Sequence, residues 1–210
     1  MIGLNFADDL VTLFLTNRVA KSSSISNAAL FSGASPVRFR SIESYVCLYG
    51  QKPLEFILSY KLQIFDTPEK VAQEFAGQLV QIATDDPTQT KHVCLSGGST
   101  PKRMFEILAA AYAKSNWSSV HFYWGDERCV PPADDQSNFG VANKLFFENA
   151  NIPDTNIHRI LGEIDPEQAS RQYSAELKQH VTASENVPAF DLVILGMGDD
   201  GHTASILPHQ

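Results

Sequence analysis

Three times along this chain a short apolar run breaks into a glycine-bearing polar turn. His92-Val93-Cys94-Leu95 runs into Ser96-Gly97-Gly98-Ser99-Thr100, and Val120-His121-Phe122-Tyr123-Trp124 into Gly125-Asp126-Glu127-Arg128. Phe190-Asp191-Leu192-Val193-Ile194-Leu195 runs into Gly196-Met197-Gly198-Asp199-Asp200-Gly201-His202. Near-continuous apolar runs of this length are what strands buried on both faces require. Between them lie helical patterns. Val71, Phe75, Leu79 and Ile82 recur at helical spacing after Pro68, with Asp66 or Thr67 placed to cap. Met104, Phe105, Leu108 and Tyr112 share one face after Pro101. Ser137 can cap a helix through Leu145 and Phe146, and a further helix spans about Pro166 to Val181. Leu62-Gln63-Ile64-Phe65 and Ile157-His158-Arg159-Ile160 read as short additional strands.

Strands alternating with helices predict an α/β fold of three layers: a mostly parallel, Rossmann-like sheet with helices on both faces. Right-handed crossovers then set the three polar turns along one edge of the sheet, where open α/β sheets bind ligands. Residues far apart in sequence thereby line one crevice.

The 210 residues are 43% apolar and include 13 Phe, enough for a substantial core. The formal net charge of −8 argues against nucleic acid as a partner, because phosphate backbones call for clustered Lys and Arg. It does not oppose a small anionic substrate, which feels the field of its own pocket. No run of 18 apolar residues suggests a membrane partner. The three cysteines, Cys47, Cys94 and Cys129, lack C-x-x-C spacing, which fits a reducing compartment such as the cytoplasm. Cys94 reads as a small buried hydrophobe. Residues 1–60 differ in character and are expected to be a leader or N-terminal extension without regular order. Residues 16–41 are rich in Ser and Asn, carry Arg18, Lys21, Arg38 and Arg40 and have no acidic residue, a composition shared with organelle transit peptides.

Each turn admits a chemical and a bland reading. Ser96–Thr100 resembles a phosphate cradle: Gly97 and Gly98 expose amides, Ser99 and Thr100 add hydroxyls, and the following helix directs its positive end at them. Lys102 and Arg103 are close in sequence. The bland reading is a capped turn with Thr100 as N-cap. Asp126 and Arg128, two apart on an extended segment, share a face and can hold an oxyanion, or they form a solvated ion pair. Gly196–Gly201 spells G-x-G-x-x-G after a strand. Asp199 and Asp200 would repel a pyrophosphate there, and Pro208 limits any following helix to about Leu207, so no dinucleotide cofactor is expected. His202 is either a proton-transfer group or a satisfied histidine at a helix start. H-E-x-x-H and any second histidine at metal spacing are missing, so no metal is expected, and a G-x-S-x-G nucleophile elbow is missing too. A histidine base acting on water or on a substrate proton remains.

The three motifs, with Val130-Pro131 and Ser137-Asn138 after the second and Thr203-Ala204-Ser205 after the third, together resemble the 6-phosphogluconolactonase family from about Lys61 to Gln210. That resemblance implies hydrolysis of the sugar-phosphate lactone 6-phospho-D-glucono-1,5-lactone in the oxidative pentose phosphate pathway, with neither metal nor cofactor. It implies catalytic roles for His202, Arg128 and Asp126, with Asp126 orienting Arg128 or His202. It implies substrate or phosphate contacts from Gly97, Gly98, Ser99, Thr100, Asn138 and Asp200. Two other functions compete. The wider superfamily includes glucosamine-6-phosphate deaminase/isomerase, in which Ile-Ala-Phe-Asn-Glu typically follows the histidine, whereas Thr203-Ala204-Ser205 follows it here. An inactive sugar-phosphate-binding remnant is the third. Family members typically read Leu-Phe-Pro-Gly where this chain reads Ile206-Leu207-Pro208-His209, and they continue with further strands and helices, so residues 61–210 are expected to be a partial domain.

Overall fold

A computed structural model of the protein describes residues 11–15, 63–181, 183–184 and 187–208. Its elements in chain order are β1 (Val11–Leu15), α1 (Pro68–Asp85), β2 (Lys91–Leu95), α2 (Ser99–Tyr112), β3 (Val120–Trp124), α3 (Asn138–Leu145), β4 (Ile157–His158), α4 (Pro166–His180), β5 (Ala183–Ser184), β6 (Val187–Pro188) and β7 (Leu192–Met197). One sheet has the order β1-β7-β2-β3-β4. The four strands from β7 to β4 are parallel, with Cys94 opposite both Tyr123 and Val193, and Tyr123 opposite His158. Their carboxyl ends therefore share one edge, as the alternating pattern predicts. β1 falls within the stretch expected to be a leader, and it pairs antiparallel with β7. The other residues before Gln63 lie outside the described set, as does Cys47.

Period-two alternation sorts each strand's side chains onto the two faces. Val93, Leu95, Phe122, Trp124, Leu192 and Ile194 join a core with Val71, Phe75 and Leu79 of α1 and Met104, Phe105 and Leu108 of α2. Phe75, Leu79 and Leu108 are fully buried there. Truncating a buried Phe of this kind costs about 3–5 kcal/mol. The opposite face carries His92, Cys94, His121, Tyr123 and His158 and is covered by α4, whose Tyr173 hydroxyl bridges the backbone N–H and C=O of Trp124.

Local signals set most boundaries. Thr67 caps α1 by accepting from Lys70 N–H, Ser137 caps α3 by accepting from Gly140 N–H, and Asp165 caps α4 by accepting from Gln168 N–H. Two expectations fail. Residues 63–65 form no strand, and Ile64 is 76% exposed, since no neighbouring strand in the described set offers it a ladder. α2 begins at Ser99 with Gly98 as its N-cap, so Thr100 lies inside the helix instead of capping it. Among the described residues, no helix follows the β7 turn. There Ala204 takes φ 51°, and Thr203 and Ile206 exchange backbone hydrogen bonds, closing a tight turn before Pro208. No helix among the described residues is long and apolar enough to cross a membrane.

Candidate active site

The three turns meet at the carboxyl edge through a short chain of contacts. At the end of β2, α2 makes its first helical hydrogen bond from Lys102 N–H to Gly98 C=O. This leaves the amides of Ser99 and Thr100 outside the helix ladder, at its positive end. Thr100 is buried, while Gly98 and Ser99 are exposed. A Cβ on Gly97 would overlap the Asn138 side-chain amide, so the first residue of α3 lies directly against the cradle. Arg103 is not available to an anion. Its guanidinium is held by Glu69 at 2.5 and 2.9 Å and by Glu106 at 2.6 Å, tying α2 to α1.

Asn138 also reaches the end of β3. Its Nδ2 donates to the Asp126 backbone oxygen at 3.1 Å and to Asp126 Oδ1 at 3.3 Å. Asp126 Oδ2 accepts from Ser205 Oγ at 2.8 Å, which links β3 to the loop after β7, 79 residues later. Asp126 thus hydrogen-bonds to neither Arg128 nor His202, the two partners expected for it. Its carboxylate joins two loops instead. The Arg128 side chain is exposed and makes no ion pair among the described residues.

The residue between them, Glu127, was not singled out by sequence, yet it organises the loop. Its carboxylate accepts from Arg128 N–H and Asn138 N–H, each at 2.7 Å, from Phe139 N–H at 2.9 Å and from Ser137 Oγ at 3.1 Å. A carboxylate placed on the first amides of α3 complements both its orphan donors and its dipole. The one available signal was the acidic residue ten positions before a Ser-Asn helix start, and only the returning chain gives that spacing meaning.

After β7, Gly198 N–H donates to the His202 carbonyl at 2.8 Å, folding the turn back on itself. The His202 ring lies over Gly198 so closely that any Cβ there would overlap it. Asp200 Oδ1 accepts from His202 N–H at 3.1 Å and lies 2.5 Å from His202 Nδ1. Those contacts, the backbone one foremost, hold the Asp200 carboxyl below the usual carboxylate range. The imidazole is fixed through Nδ1, which leaves Nε2 for chemistry. His202 is half-buried and sits in a loop, not at a helix start.

The sequence and the fold are both similar to those of known proteins. Residues 66–210 match the family described as glucosamine-6-phosphate isomerases/6-phosphogluconolactonase. The 6-phosphogluconolactonase of Haemophilus influenzae is 46% identical over 144 residues, which are 68% of this chain and 58% of that protein. The 6-phosphogluconolactonase of Treponema pallidum is 41% identical over 143 residues, 66% of this chain and 59% of its own. The chain therefore spans somewhat under three fifths of these relatives. Among solved structures, the devB protein superposes with a TM-score of 0.66 at 40% identity, covering 70% of this chain and 62% of its own. The 6-phosphogluconolactonase of Trypanosoma brucei superposes with a TM-score of 0.62 at 27% identity, covering 70% and 63%.

Proposed function

Since the chain belongs to the glucosamine-6-phosphate isomerase/6-phosphogluconolactonase family, we propose that its site hydrolyses 6-phospho-D-glucono-1,5-lactone to 6-phosphogluconate. The observation that carries this reading is the Asp200–His202 pair, set in a loop that Ser205 ties to Asp126. Asp200 holds His202 Nδ1, so Nε2 is the atom that accepts a proton from water. That water attacks the lactone carbonyl carbon. The C–O bond to the ring oxygen then breaks, and His202 returns the proton to the departing oxygen. The new carboxylic acid loses its own proton to solvent.

Arg128, exposed and unpaired among the described residues, reaches toward the oxyanion or the phosphate. The amides of Ser99 and Thr100, with their hydroxyls, receive the phosphate at the α2 N-terminus. Gly97 and Gly98 let that anion approach the backbone, and Asn138 sets the distance between this cradle and Asp126. Asp126 acts as the brace between loops. The free thiols of Cys94 and Cys129 suit a reducing compartment such as the cytoplasm.

The test is hydrolysis of freshly generated lactone, corrected for spontaneous opening. The wild-type chain exceeds background, and His202→Ala loses nearly all of the excess while still binding 6-phosphogluconate. Unchanged turnover in His202→Ala removes that residue from the chemistry.

A further inference from the structure

The sheet face under α4 carries a second cluster of titratable side chains that the proposed hydrolysis does not use. His158, on the two-residue edge strand β4, points Nδ1 at Glu176 Oε1, 2.6 Å away on α4. One turn further along α4, His180 Nε2 lies 3.6 Å from the same oxygen. One ligand-type atom from each of the three residues lies within 4.8 Å of the other two. We propose that His158, Glu176 and His180 bind one divalent transition-metal ion, with Zn2+ the best match, and that the ion staples β4 to α4.

Two of the three ligand separations need little adjustment. Four ligands around zinc at about 2.0–2.1 Å stand roughly 3.4 Å apart in a tetrahedron. The Glu176–His180 separation already matches. The His158–Glu176 separation has to open by less than about 1 Å, within reach of a carboxylate on a helix surface. Glu176 and His180 are four residues apart, so α4 presents both from one face without rearrangement. Two imidazoles and one carboxylate select zinc and its neighbours over Ca2+ or Mg2+, which demand oxygen-rich shells. Three protein ligands leave a fourth position for water. Access exists, because Glu176 and His180 are 40% and 35% exposed while His158 is buried behind them.

The surroundings of His158 fit a ligand. Its Nε2 lies 2.9 Å from His121 Nδ1, an outer partner of the kind that fixes the orientation of metal-bound imidazoles. Tyr123 stacks flat on the same ring at 4.4 Å between centroids. Metal binding requires the proton between His158 and Glu176 to leave Nδ1. A coupled tautomer change supplies this: the His158 proton moves to Nε2 and donates to His121 Nδ1, while His121 carries its own proton on Nε2, so both imidazoles stay neutral. Sequence spacing did not reveal the site, since His158 and His180 come from different elements and only the Glu176-x-x-x-His180 pair is local.

The experiment is titration of the tag-free, chelator-stripped chain with Zn2+ alone, read by competition with a chromophoric chelator, and with Co2+, read by its ligand-field absorption. The expected result is one equivalent bound, a raised Tm and tetrahedral-type Co2+ bands. Loss of an outer partner alone weakens metal sites by about 10–100-fold. Loss of a ligand should therefore exceed about 100-fold in His180→Ala and in Glu176→Gln, both at partly exposed positions, with wild-type circular dichroism. His202→Ala should bind normally. Absence of saturable binding by the wild-type chain, binding undiminished in either ligand variant, or loss confined to His202→Ala overturns the proposal.

Discussion

Glu127→Ala removes the acceptor shared by four donors and is the sharpest test of how the β3 loop is built. Two of the donors, Asn138 N–H and Phe139 N–H, belong to the first turn of α3 and are half-buried. Arg128 N–H faces solvent, so water can replace the carboxylate there at small cost. Ser137 Oγ keeps its capping bond from Gly140 N–H in the variant. The loss is thus two charge-assisted bonds at a helix start, and each capping interaction of this kind is worth about 0.5–2 kcal/mol. A total of about 1–4 kcal/mol follows, or roughly 2–16 °C in Tm for a chain of this size. Glu127→Gln keeps one acceptor oxygen but sets an amide N–H2 against donors, so it should fall between wild type and Ala. Urea and thermal unfolding followed by tryptophan fluorescence would read both, since Trp117 and Trp124 are buried. A cost below about 0.5 kcal/mol for Ala, the level of an ordinary surface substitution, refutes the reasoning, as does a Gln variant less stable than Ala.

Three further outcomes are expected. Gly97→Ala forces a methyl group into the Asn138 amide; lactone hydrolysis should fall by more than about tenfold, out of proportion to a destabilisation of about 1–3 kcal/mol, and steady-state kinetics beside a melting curve would separate the two. Cys94 is buried and its thiol is pushed up to about 12 mainly by desolvation, whereas Cys129 is exposed; iodoacetamide mapping by mass spectrometry should modify Cys129 in the folded chain and spare Cys94 until it unfolds. Burial holds the His92 pKa below its ordinary value of 6.5. The unfolded chain then takes up that proton first, so the contribution of neutral His92 is present above about pH 6.5 and lost as the pH falls through the lowered folded value. His92→Gln should therefore cost less at pH 5 than at pH 7.5, as measured by urea unfolding at both.

Much of the framework was legible because it is encoded locally. β3 could be read as Val120–Trp124 because the apolar run is bounded by a glycine turn, and the starts of α1 and α3 because Thr67 and Ser137 cap their own helices. The convergence of the three turns followed from parallel strand order. What escaped depends on contacts distant in sequence. Glu127 gains its role when α3 returns to it, Arg103 loses its apparent role to Glu69 on α1, and Asp126 meets Ser205. The short β5–β6 hairpin carries too few residues for a periodic signal. The predicted strand at 62–65 had the right residue types, but three of its residues find no ladder and Leu62 lies outside the described set.

The central claim is that the turns after β2, β3 and β7 form one sugar-phosphate site. Titration of the 15N-labelled chain with 6-phosphogluconate, followed by amide shifts, tests it most directly. Ser99, Thr100, Arg128 and His202 should move together along one saturation curve, and inorganic phosphate should shift the Ser99–Thr100 subset. Shifts confined to a single turn, or none that saturate, would contradict it.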